Sequence, residues 1–431
     1  MVQALRKVCE TGPETGGCKK ELSRQGLKEA LYKELELKID LAVQGISFAP
    51  PDLKQFPIGT TYQEQIHILF DMDKEHHADF LLPAAFYLPH GLLVAFRWDS
   101  SSPYRLVAEG GKPVIYKYRY GKDPIRIAEV KFKNRPELLS RKTAEGEPFG
   151  HIAAFTPEGG VFVSYSNECF LKERGEDCKF CNINSTAGAY KGDNIFLKTP
   201  QQVAEVFNAA YQAGVGNQLN VTGGFIPERR EIEYYGDVAD EVRALTGLDD
   251  FNGTAVIGAP VDFGVIDKYK EAGYRNVALN VEIWDKNIWQ AICPGKARHC
   301  GGYDNWVAAL EYAAKVFGRG KVRSNIVAGL EPKQSILEGV EYLADKGVIN
   351  FVGAWCPNPG SELEQHRTPE TAWHVDLYHK VANIFRRNGF TLRELYDCAA
   401  ANSPVHDIYR IEEEHFEGNR LKTWKFPTLR K

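Results

Sequence analysis

The sequence contains no run of apolar residues approaching the roughly 18 that a bilayer span requires, so no membrane partner is expected. An excess of one charge is missing too: 53 basic residues stand against 57 acidic ones, for a net charge of −4. That balance argues against a nucleic-acid polyanion or an anionic membrane as the main partner. The first residues, MVQALRKVCETGPETGG, lack the apolar core of a secretory signal, and the expected location is the cytoplasm. Low-complexity segments and internal repeats are also absent. The nine cysteines are an odd number in a chain with no secretory signal. A disulfide framework is therefore not expected, and metal or redox chemistry explains the thiols better.

With 431 residues and 43% hydrophobic content, the chain is long enough to bury a sizeable core. From about residue 150 onward, short β-branched runs alternate with amphipathic segments. The predicted strands are VFVSYSN (161–167), QLNVTGG (218–224), TAVIGAP (254–260), NVALNVEIW (276–284), VRSNIVAGL (322–330) and INFVGAWC (349–356). Helical patterns at 199–214, 231–247, 263–273, 303–318, 332–347 and 368–389 separate and follow them. Six βα units in series imply an α/β fold with a parallel sheet and right-handed crossovers. The count suits a partial (βα)6 TIM-like barrel, with a doubly wound open sheet as the alternative. Either places chemistry at the carboxyl ends of the strands. Residues 1–149 differ, with a helix over 20–45 and then strands and turns, and are expected to form an N-terminal α+β extension. The expected units are thus 1–149, a barrel over 150–390 and a C-terminal extension over 391–431.

After the first barrel strand comes NECFLKERGEDCKFCNIN, in which Cys169, Cys178 and Cys181 follow a Cys-x8-Cys-x2-Cys spacing. Three thiolates, soft charged donors, suit three irons of a [4Fe-4S] cluster. The fourth iron would stay open to a substrate or cofactor, and S-adenosylmethionine (SAM) can chelate such an iron through its amino and carboxylate groups. One electron from the cluster would then cleave the sulfonium C–S bond, giving a radical able to take hydrogen from a substrate. Zinc knuckles and redox dithiols also use Cys-x2-Cys, but no fourth Cys or His lies within the segment.

This segment resembles the cysteine motif of the radical SAM superfamily, in which an aromatic residue precedes the last cysteine. Phe180 holds that place, although the first gap is five residues longer than the usual Cx3Cx2C. Thr222-Gly223-Gly224 resembles the Gly-Gly-Glu motif that approaches the SAM amino group, with Phe225 replacing the Glu. Asn280 and Glu282 resemble the Asn-x-Glu pair of biotin and lipoyl synthases. Strand alternation would put both on one face, toward the ribose hydroxyls of SAM. The segment around Gly329 resembles the family's strand near the adenine, and Cys356-Pro357-Asn358-Pro359-Gly360-Ser361 its Pro-rich turn. The nearest resemblance is to an uncharacterised biotin/lipoyl synthase-like branch of radical SAM proteins encoded beside nitrilases. The resemblance implies an oxygen-sensitive enzyme with a [4Fe-4S] cluster and SAM. It further implies an electron donor such as flavodoxin or ferredoxin, and hydrogen abstraction from a small polar substrate, ending in rearrangement, oxidation or C–C/C–S bond formation.

Other residues invite weaker assignments. Cys9, Cys18, Cys293 and Cys300 could hold an auxiliary cluster, but with no local Cys-x2-Cys spacing they read better as unligated thiols. Lys296, Arg298 and Lys333 fall on predicted loops at the active face and could meet a substrate carboxylate or phosphate. Glu75-His76-His77 reads as a surface cluster rather than a metal site. Tyr165, Trp284, Trp289 and Trp355 wall a pocket or fill the core. Two other function classes remain open: a zinc-dependent barrel hydrolase or lyase, and a non-catalytic iron–sulfur protein.

Overall fold

The computed structural model describes residues 22–49, 52, 55–56, 85–133, 137–166, 168–181, 197–357, 360–425 and 429. Cys9, Cys18, Glu75-His76-His77, Asn358 and Pro359 lie outside the described residues.

The chain begins with helix α1 (Arg24–Gln44), whose Ser23 hydroxyl accepts from the Gly26 amide at 3.0 Å and so caps the first turn. Leu27, Leu31, Leu35 and Ile39 recur at helical spacing and are buried. Seven short strands follow: β1 (Ser47–Phe48), β2 (Ala85–Tyr87), β3 (Leu93–Ala95), β4 (Tyr104–Glu109), β5 (Lys112–Arg119), β6 (Lys122–Glu129) and β7 (Lys131–Phe132). They form a four-stranded sheet in the order β1-β4-β5-β6 and a three-stranded sheet in the order β3-β2-β7.

After helix α2 (Phe149–Ile152) the large sheet starts with β8 (Ala154–Phe155) and β9 (Gly160–Ser164). Helix α3 (Phe170–Glu173) and α4 (Pro200–Gln212) lead to β10 (Gln218–Thr222). Then come α5 (Glu228–Thr246), β11 (Gly253–Val256), α6 (Gly264–Glu271), β12 (Asn276–Ala278), α7 (Lys286–Ile292), α8 (Pro294–His299) and α9 (Gly302–Phe317). The unit closes with β13 (Val322–Ala328), α10 (Lys333–Asp345), β14 (Val348–Ala354) and α11 (Thr371–Arg387), and α12 (Leu392–Cys398) and α13 (Pro404–Glu412) follow. The strands make one seven-stranded sheet, in sequential order from β8 to β14. Strands β9 through β14 are mutually parallel, while β8 pairs with β9 antiparallel. The sheet curls into a half-barrel and its end strands β8 and β14 are not paired with each other.

Local chemistry sets several boundaries. At α4, Thr199 and Gln202 form a reciprocal capping box, with Pro200 in the first turn. The expected strand 276–284 stops at Ala278 because side chains take over the ladder. Ser324 Oγ accepts from the Val281 amide at 3.0 Å, and Asn280 Oδ1 accepts from the Asn325 amide at 3.2 Å. Glu282 then adopts a φ of 70°, in the left-handed region.

Polar side chains fill the amino-terminal mouth of the half-barrel and receive the segment after α12. Gln218 and Asn276 donate to the Asp397 carbonyl at 2.7 and 3.1 Å, and Gln218 Oε1 accepts from the Ala400 amide at 2.8 Å. The chain thereby plugs one end and leaves the carboxyl ends of the strands as the face for chemistry. Among the described residues, no helix is long and apolar enough to cross a membrane.

Candidate active site

Cys169 follows β9 and caps the short helix α3. Its neighbour Phe170 donates its amide to the Phe225 carbonyl at 2.8 Å, which staples the first cysteine to the turn after β10. Gly224 in that turn has no room for a side chain. A Cβ there would lie 1.9 Å from the Glu168 carbonyl oxygen and 2.8 Å from Cys169 Cβ. At Gly223 it would lie 2.7 Å from the Tyr165 ring. Thr222 accepts from the Tyr165 amide at 2.8 Å. The glycine pair thus brings the first cysteine loop onto the end of β10.

Cys178 and Cys181 dock elsewhere on the same face. The Cys181 amide donates to the Cys178 carbonyl at 2.9 Å, closing a turn, and the Lys179 amide donates to the Ile292 carbonyl at 2.9 Å. The Gly295 amide donates to the Glu176 carbonyl at 2.8 Å, and a Cβ on Gly295 would sit 2.3 Å from that oxygen. Glu176 also pairs with Arg298 and His299, so the cysteine loop is tied to α7 and α8. Phe180 packs against the core.

Cys178 meets the buried thiol of Cys293, and that hydrogen bond, with burial, holds the Cys178 thiol well above its usual pKa. Beside them lies Lys296. Its ammonium donates to the Asn280 carbonyl at 2.8 Å and to Glu282 Oε1 at 3.2 Å, and stands 4.5 Å from the centre of the Trp306 ring. Burial alone would lower the Lys296 pKa, but Glu282 together with Cys178 and Cys293 outweighs it and the pKa is raised. Asn280, Glu282, Cys178 and Lys296 are therefore neighbours. Gly329 stands apart: with a φ of 115°, it packs against Pro369 and Thr368 and accepts from His366 at 3.2 Å.

The loop cations expected to await a substrate are already engaged, Lys296 by Glu282, Arg298 by Glu176 and Lys333 by Asp376. Tyr165, Trp289 and Trp355 are core residues, while Trp284 is half-buried. Cys293 and Cys300 are buried and form no disulfide. The Cys178–Cys293 contact has no signal in the sequence, because a 115-residue separation hides it.

Cys169, Cys178 and Cys181 form no disulfide and are partly exposed. Among the described residues, no three Cys, His, Asp or Glu side chains converge as a metal site, so the three thiols share a loop rather than a point. The donor set nonetheless suits an iron–sulfur cluster: three thiols outside any disulfide on the face where the strands end. Next to Asn280, the buried Asn325 Oδ1 has no hydrogen-bond partner, which suits a polar ligand.

Residues 163–343 match the family model described as the radical SAM superfamily. The chain carries a radical SAM domain. The match supports an enzyme of the radical SAM class, a family that in general uses a [4Fe-4S] cluster and SAM. The chain is also similar to the bacteriochlorophyllide c C-7(1)-hydroxylase of Chlorobaculum limnaeum, at 28% identity over 265 residues. That likeness covers 57% of this chain and 64% of the hydroxylase, just under two thirds of its length. Among solved structures, methylornithine synthase (PylB) is 17% identical with a TM-score of 0.42, covering 62% of this chain and 79% of that one. HydG, a maturase of the [FeFe]-hydrogenase, is 16% identical with a TM-score of 0.43, covering 58% and 54%.

Proposed function

We propose that the protein uses a [4Fe-4S] cluster held by Cys169, Cys178 and Cys181 to cleave SAM reductively and abstract hydrogen from a small molecule. The observation that carries this is the docking of the cysteine loop onto the carboxyl end of β10, where the missing side chain of Gly224 makes room for the Glu168 backbone and Cys169. When bound, the cluster supplies the electron that breaks a sulfonium C–S bond. The chain's own residues do the rest. Thr222, Gly223 and Gly224 offer backbone to the SAM amino group. Asn280 and Glu282 serve the ribose, with Lys296 fixing the Glu282 carboxylate at 3.2 Å. Phe180 adjoins Cys181 in the cysteine loop, and Gly329, which stands apart from these residues, is the proposed neighbour of the adenine. Flavodoxin or ferredoxin is the proposed reductant, and the cytoplasm the proposed location.

The relative named as a hydroxylase favours oxidation of a C–H bond over rearrangement or C–C/C–S bond formation. The family match weighs against a zinc-dependent hydrolase or lyase and against a non-catalytic iron–sulfur protein. Iron and acid-labile sulfide analysis tests the reading: about four of each per chain are expected, with SAM binding lost in Gly224→Val. Zinc without sulfide would overturn it.

A further inference from the structure

A cavity of about 570 Å³ runs along the open edge of the half-barrel, between β8 and β14. The barrel contributes Phe162 of β9 with Phe351 and Gly353 of β14, and the N-terminal elements contribute Ile39 and Ala42 of α1 and Val94 of β3. Phe162 is in register with Asn220, whose amide donates to the inward-facing Gln218 at 3.1 Å. Phe351 and Gly353 are in register with Asn325 and Val327. Alternation along the strands therefore turns all three toward the inside, and the cavity extends the barrel interior through its seam.

Two features mark this space as built for an occupant. A Cβ added to Gly353 would meet no atom within 4 Å, although the residue sits in a strand hydrogen-bonded along its length. Glu158, in the turn between β8 and β9, lines the other end of the cavity at 3% exposure, and its Oε2 has no hydrogen-bond partner. A buried carboxylate oxygen without a donor is costly. The neighbouring cations are engaged elsewhere, Arg410 by Asp407 at 3.1 Å, Lys38 by Asp407 at 2.5 Å and Lys133 by the Phe155 carbonyl. Burial pushes the Glu158 carboxyl above its ordinary range.

We infer that the seam cavity binds the substrate, and that the substrate is an elongated, mainly apolar small molecule with one hydroxyl or amine donating to Glu158. This departs from the small polar substrate that family resemblance implies. Glu158 precedes β9 at the amino end of the strands, whereas Gly353 lies near their carboxyl end, on the side of the cysteine loop. The ligand's polar group is thus distal to the reacting end. The inference rests on the radical SAM reading for the chemistry, but not for the binding.

The test titrates the anaerobically reconstituted full chain with N-phenyl-1-naphthylamine, a neutral apolar amine whose emission rises on leaving water. One saturable site is expected, displaced by 1-decanol at a concentration at least tenfold lower than decanoate requires, and not displaced by serine. Gly353→Trp should weaken probe binding at least tenfold at an unchanged melting temperature. Gly353→Leu should weaken it less, and serves if the indole prevents folding. Glu158→Leu should remove the preference for decanol while the probe still binds. Non-saturable emission, or binding that both Gly353 variants leave unchanged, overturns the inference. Saturable binding in a protein that yields no 5′-deoxyadenosine from SAM would sink the radical reading and leave the cavity standing. SAM cleavage without saturable binding would do the reverse.

Discussion

Lys296 holds its ammonium 3.2 Å from the carboxylate of Glu282, and both side chains are largely buried. Removing the cation strands a buried anion, which is far worse than losing a surface pair. Lys296→Met should lower the unfolding free energy by about 3–5 kcal/mol, measured by urea titration. Glu282→Gln leaves the lysine its Asn280 carbonyl and should cost about 1–2 kcal/mol. Equal costs for the two would show that the pair is not the buried unit described.

Gly224 and Gly353 should respond oppositely to the same methyl group. In Gly224→Ala the new atom meets backbone at 1.9 Å, so the Cys169 loop must move. We expect a loss of about 1–3 kcal/mol and less than half the wild-type iron content after reconstitution. Gly353→Ala meets open space, and its stability should stay within about 0.5 kcal/mol of wild type.

Two buried histidines predict acid sensitivity. Burial lowers the pKa of His374 and of His406 from 6.5 to about 4. Between those limits the unfolded chain binds protons that the folded chain refuses. The unfolding free energy therefore falls as pH drops from 6.5 toward 4, by on the order of 3 kcal/mol per histidine at most. Urea midpoints at pH 7 and pH 5 should differ in that direction, and His406→Gln should shrink the difference. A midpoint independent of pH over this window would refute the assignment.

The alternation of strands and helices from 161 to 389 was legible because each apolar run and each amphipathic segment carries its own period. Helix α1 was legible for the same reason. The Asn280–Glu282 stretch was not, because the Asn280 and Ser324 side chains replace backbone partners and end β12 early. Lys296 read as a loop cation because its partner Glu282 becomes a neighbour only once the chain has folded. Glu158 gave no signal at all: a lone acid in a Pro-Glu-Gly-Gly turn reads as solvated, and only the folded chain, which brings Arg410, Lys133 and Lys38 beside it, buries it. The cysteine spacing pointed to the loop, but not to Cys293, the thiol that Cys178 meets.

Anaerobic reconstitution with iron and sulfide, followed by dithionite and SAM, tests the central claim most directly through the yield of 5′-deoxyadenosine. The wild-type chain should form it in at least stoichiometric amount, and the variant with Cys169, Cys178 and Cys181 all changed to Ala should form none above background. Product formation undiminished in that variant, or none from a wild-type chain loaded with iron and sulfide, would contradict the account.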